Sequence, residues 1–224
     1  MATSLGSTAV VSQGDLGLVQ AAARAEVGVS EAWSATLNLP MQWSPSAGLT
    51  PWDAVVAGAW RPLDRPDLAL ELRPGLSLPL GPSGPSAPFV PGATGSFDPW
   101  LAASLVGGGD WIGLSQVRAR LPVSDGRDGV RQGAWGRLDL GGGRRLGAWV
   151  LTLTASGVHR LDDETGGGGF SELAGELGAT WAFSERWAAT ATARTPVWMN
   201  TPSRYTVAGG LSVTRVWGKA GESH

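Results

Sequence analysis

The stretch Trp33-Ser-Ala-Thr-Leu-Asn-Leu-Pro-Met-Gln-Trp43 decides the fold. Taken alternately, its residues give an apolar face (Trp33, Ala35, Leu37, Leu39, Met41, Trp43) and a polar face (Ser34, Thr36, Asn38, Pro40, Gln42). Period-two alternation marks a β-strand whose faces meet different surroundings. Tilted near 45°, a strand of this length rises about 25 Å, the height of the apolar band of a membrane-spanning barrel. The apolar face starts and stops at Trp, whose ring is apolar and whose N–H seeks water or headgroups. The stretch therefore reads as a membrane-crossing strand.

The same alternation recurs in both directions. It predicts twelve strands, roughly between residues 2 and 217, with 218–224 as a C-terminal tail. Tight turns at 30–32, 64–67, 108–110, 141–145 and 184–186 alternate with generally longer loops at 44–51, 81–98, 124–133, 160–169 and 199–204. Outer-membrane barrels show this asymmetry, with short periplasmic turns and longer extracellular loops. An even strand count puts both termini on the periplasmic side. The expected fold is all-β: residues 1–224 as one closed antiparallel transmembrane β-barrel. Residues 2–12 alternate least clearly.

Tryptophan placement is a second, independent signal. On the outward parity, Trp43 and Trp52 fall near loop ends, and Trp33, Trp60, Trp111, Trp149, Trp181, Trp187 and Trp217 near turn ends. These nine are expected at the membrane interface, as two aromatic girdles. Trp100 and Trp135 fall on the inward parity, which bulges would explain, and Pro196 is expected to shift the register before Trp198. A soluble barrel would turn its apolar faces inward instead. A twelve-strand interior is wide, however, and the faces opposite the apolar ones carry Gly, Ala, Ser, Thr and charges, which would not fill it.

Composition narrows the function. The chain is 42% hydrophobic and 16% charged, with 34 Gly and 12 Trp. No apolar run is long enough for a transmembrane helix. A net charge of −2, with dispersed Arg, offers no bulk attraction to nucleic acid. Cysteine is absent, which removes disulfides and thiolate metal sites. Residues Met1–Gly6 have neither a basic nor an apolar leader region, so an exported chain is expected to have lost its signal peptide, with Met1 added for expression. An engineered chain would read the same way.

If apolar faces meet lipid, the others line a lumen. Its candidate charges are Arg24, Glu26, Asp53, Arg61, Glu71, Arg73, Arg118, Arg120, Arg137, Asp139, Glu172, Glu176 and Arg194. So many inward charges require a wetted channel or paired networks. They read equally as a constriction that tunes selectivity or as pairs that stiffen the wall, and their near balance argues against strong ion selectivity. Loop 81–98 reads as a surface loop rather than a fold into the mouth, and Asp162-Asp-Glu164 as a solvated cluster rather than a calcium site. No catalytic residue, cofactor or metal site is expected. Ser156 and His159 lie three apart on a strand and so face opposite sides, and Glu172 and Glu176 are about 13 Å apart by strand rise.

Turn and loop alternation, the Trp girdles and a last strand Tyr205–Trp217 ending on an aromatic residue together resemble Gram-negative outer-membrane barrels of the twelve-strand class. In that class the terminal aromatic aids recognition by the assembly machinery; here Gly218–His224 follow it. Glu26-Val-Gly-Val-Ser-Glu-Ala-Trp-Ser-Ala-Thr-Leu-Asn-Leu-Pro40 and Gly178-Ala-Thr-Trp-Ala-Phe-Ser-Glu-Arg-Trp-Ala-Ala-Thr-Ala191 are similar to hairpin units in transporter barrels of the phenol-degradation (MetA-pathway) family. The resemblance implies a channel for small solutes, with the lipid bilayer, those solutes and the assembly machinery as partners. The function expected is passive diffusion across the bacterial outer membrane, gated or screened by loops 81–98, 124–133 and 160–169. The alternative is a structural or surface-binding barrel with a lumen plugged by Arg–carboxylate pairs.

Overall fold

The computed structural model describes residues 2–12, 15–44, 48–65, 67–80, 96–125, 131, 133–162, 169–200 and 207–216. Its first strands are β1 (Ala2–Ser12), β2 (Asp15–Gly28), β3 (Trp33–Ser44), β4 (Gly48–Pro51), β5 (Ala54–Arg65), β6 (Leu68–Leu78) and β7 (Asp98–Gly108). Then follow β8 (Trp111–Arg120), β9 (Trp135–Leu146), β10 (Trp149–Arg160), β11 (Phe170–Ser184), β12 (Trp187–Met199) and β13 (Val207–Val216). Every pairing is antiparallel. Sequence neighbours pair along the chain, β2 pairs with both β1 and β3, and β1 pairs with β13 from Ala2↔Val216 to Val11↔Val207. Residues 2–12 are thus a strand with a partner on each side.

The thirteenth strand comes from a bulge. β4 and β5 pair with the same edge of β3, at Met41↔Pro51 and Asn38↔Val55. Three residues along β3 match four across β4 and β5, so one residue is extra, and the Trp52 N–H still donates to the Pro40 carbonyl at 2.9 Å. Twelve long strands therefore remain, one of them broken at Trp52-Asp53. A second insertion falls between Trp60 and Leu63, where Pro62 has no N–H for the ladder. A third skips Val197, immediately after Pro196, as expected there.

The turn expected at 141–145 is displaced. Residues 141–146 belong to β9, and the hairpin turns at Gly147-Ala148, with Gly147 at φ 59°. Glycine runs usually signal turns, but these glycines serve a close approach. A Cβ on Gly141 or Gly143 would lie 2.4 Å from the Leu153 or Leu151 carbonyl oxygen of β10.

Burial inverts the order of a water-soluble protein. On β3, Ser34 and Thr36 are only 4% and 8% exposed, whereas Leu37, Leu39 and Met41 are 41–45% exposed. Leu138 and Leu140 on β9, Leu151 and Leu153 on β10, and Leu173 and Leu177 on β11 are likewise exposed. This is the arrangement for a protein whose outer solvent is apolar. At the turn end the outer face carries a belt of Trp33, Trp60, Trp111, Trp149, Trp181 and Trp187. Trp33 stacks on Trp60 at 5.9 Å and Trp149 on Trp181 at 5.7 Å, each across a strand pair. Arg144 and Arg215 lie over Trp111 and Trp187, adding cation–π contacts.

Candidate functional site

The inward parity positions line a half-open cavity of about 650 Å³ with both polar and apolar walls. Its walls come from β2, β3, β5 to β9 and β13, so Ser212 and Thr214 share it with Ser104 and Gln116. Arg24, Asp53, Glu71, Arg73, Arg118 and Arg120 supply its charged lining. Small residues such as Ala22, Ala57 and Ala102 keep the space open.

Toward the turn end, Glu26 is the hub of a charge network. It pairs with Arg24 at 2.7 Å, Arg61 at 2.9 Å and Arg73 at 3.6 Å. Ser34 donates to it at 2.7 Å and Thr36 at 3.4 Å. Glu71 is the second acid of this network, with Arg61 at 3.1 Å and Arg73 at 2.7 Å. Strand spacing makes this possible, since β2, β3, β5 and β6 are consecutive in the pairing order and long guanidinium arms reach across them.

Other pairs lie toward the loop end. Arg120, on β8, is bound to Asp98 of β7; the pair is 2% and 0% exposed, and Ser96 donates to Asp98 at 2.6 Å. Asp53, in the bulge, is fully buried. Arg137 binds Asp139 at 2.8 Å on β9. Arg194 of β12 binds Glu172 at 2.5 Å and Glu176 at 3.7 Å on β11. These last three do not line the cavity.

Arg118 differs from the other inward arginines. Among the described residues it has no carboxylate within 4 Å, its buried Nε has no hydrogen-bond partner, and its guanidinium lies over the Trp100 ring at 5.6 Å. Arg137 is its cross-strand register partner, and Arg24 and Arg73 are within electrostatic range.

The tryptophans at the loop end need correction. Trp52 is 4% exposed and lines the cavity, because the chain breaks parity at the Trp52-Asp53 bulge before β5 begins. Trp100 and Trp135 also line it, and no register shift occurs at either position. Their inward parity therefore holds without bulges. Trp43 and Trp198 stay exposed on the outer face, and Trp217 lies outside the described residues. Trp100 leans over β6 at Gly75, its register partner, where a Cβ would lie 2.4 Å from the indole.

Asp98 and Ser96 were not among the expected site residues, because 81–98 reads as a loop. The signal that finds Asp98 is its parity, shared with Trp100. Ser156 is fully buried on the inner side, while His159 is exposed and hydrogen-bonds Ser171 at 2.7 Å. The two do not form a nucleophile–base pair. Asp163 and Glu164, and residues 81–95 and 126–130 of the long loops, lie outside the described residues.

No protein-family model matches the chain, and no curated protein matches it by sequence. Solved structures do. An outer membrane channel from Pseudomonas putida F1 is similar at TM-score 0.71 and 13% identity, over 96% of this chain and 95% of that one. The fold is that of outer-membrane β-barrel channels. The NanC porin is similar at TM-score 0.64 and 8% identity, over 95% and 100% of the two chains. The KdgM porin gives 0.55 and 9%, over 96% and 99%.

Proposed function

We propose that the twelve long strands close into a single barrel in the outer membrane of a Gram-negative bacterium, through which small solutes diffuse passively without a covalent step. The observation that carries this reading is the inverted polarity: exposed leucines outside, buried serine, threonine and charge inside. The β1–β13 pairing supports closure, and the similarity to an outer membrane channel and two porins supports the transport role. The lipid bilayer and small solutes are the working partners, with the assembly machinery acting during biogenesis. Of the thirteen inward charges, Arg24, Asp53, Glu71, Arg73, Arg118 and Arg120 serve as pore lining and the other seven brace the wall as ion pairs, with the turn-end tryptophans as the interface. The hairpin units at 26–40 and 178–191 support a place near the phenol-degradation transporters.

A plugged barrel would need pairs that cross between opposite walls. The inward ion pairs described above stay on one strand or within four consecutive strands, so these pairs hug the wall and leave the cavity between them. The test is single-channel recording of the refolded chain in a planar bilayer. Discrete, reproducible conductance steps are expected. A folded, inserted, heat-modifiable barrel that stays silent would overturn the channel reading in favour of the plug.

A further inference from the structure

Seven arginines have inward parity. Six of them (Arg24, Arg61, Arg73, Arg120, Arg137, Arg194) have a carboxylate partner. Arg118 has none among the described residues, yet it faces the cavity. A guanidinium withdrawn from bulk water without a counter-charge is costly, and neighbouring cations add to the cost. Asp139, an acid within electrostatic range of Arg118, is already held by both oxygens at 2.8 Å by Arg137 Nε. Arg118 therefore presents a fixed positive charge to whatever occupies the cavity.

The surroundings specify more than charge. The Arg118 guanidinium carbon lies 5.6 Å from the Trp100 ring centroid, within cation–π range, and a guanidinium suits a planar, two-oxygen acceptor. Trp52, Trp100 and Trp135, with Pro40 and Val55, give the same cavity an apolar side. At about 650 Å³ it has the size of a small-molecule site.

We propose that Arg118 and Trp100 form a binding subsite for small organic carboxylates with an apolar body, the carboxylate on the Arg118 fork and the body against the tryptophans. The proposal rests on the cavity being reachable by solute, and so deepens the channel reading.

Cyclohexanecarboxylate is the probe, titrated into the full refolded chain in detergent by calorimetry and followed in parallel as a block of single-channel current. Saturable binding is expected, weaker for acetate and for uncharged cyclohexylmethanol. Arg118→Gln should weaken it on the order of ten- to hundredfold. Arg118→Lys, which keeps the charge and loses the fork, should fall between; Arg131→Gln, in an exposed loop pair, should bind as the parent does. Equal binding by parent and Arg118→Gln, or acetate binding as tightly as cyclohexanecarboxylate, would overturn the subsite. The two readings fail separately. Saturable, Arg118-dependent binding to a silent barrel keeps the subsite and removes the channel, whereas steady conductance untouched by the probe does the reverse.

Discussion

Arg118 and Arg120 stand two residues apart on the same face of β8, and both line the cavity. Arg120 is bound to Asp98 and is almost wholly buried, whereas Arg118 lies over Trp100 with no described carboxylate in reach. Residue type is the same in both cases. What differs is what the next strand supplies: Arg120 finds Asp98 beside its register partner's strand start, while the register partner of Arg118 on β7 is Ala102. Register, then, decides which inward charges hold the wall together and which remain available to a solute.

That contrast can be broken. Asp98→Asn should have the largest effect, a loss of about 3–5 kcal/mol, because it takes the bound carboxylate away from a buried guanidinium. The check is the urea midpoint of the refolded barrel, and an unchanged midpoint would show that the Arg120 pair is not structural. Glu26→Gln should cost about 2–3 kcal/mol, less because Arg24 and Arg61 keep partial access to water. It should also shift the reversal potential in a salt gradient toward anions, since three guanidiniums lose a common acid. Gly75→Val should cost about 1–3 kcal/mol by driving the Trp100 indole off β6 toward the cavity. Reduced unitary conductance would report the movement, and a conductance equal to the parent's would argue that Trp100 has room elsewhere. Arg118→Gln should change the unfolding free energy from urea titration by no more than about 1 kcal/mol in either direction, since no described carboxylate loses a partner. A large destabilisation there would erase the distinction between the two arginines.

Much of the fold was legible because lipid and lumen impose a strict period of two. β3 could be read residue by residue, and Pro196 announced its own register shift. Legibility failed where local signals and long-range needs diverge. Gly141–Gly143 look like a turn, but at Gly141 and Gly143 the β10 backbone passes too close for a side chain. Trp52 looks outward by counting, and one inserted residue reverses it. Asp98 sits at the edge of a loop-like stretch, so its partnership with Arg120 was hidden. The list of inward charges gave a near balance of sign, but not which arginine would be left without an acid, since that depends on register between strands far apart in sequence.

The two tryptophan stacks at the turn end have one more consequence. Trp33–Trp60 joins β3 to β5 and Trp149–Trp181 joins β10 to β11, and these strand pairs lie six places apart in the order of twelve long strands. In a barrel they occupy opposite sides of the same rim. Rocking the axis would lift one stack toward water while pushing the other into hydrocarbon, and both displacements oppose the preference of indole for the interface. The pair acts as outriggers, holding the long axis upright in a bilayer whose thickness alone would permit it to lean.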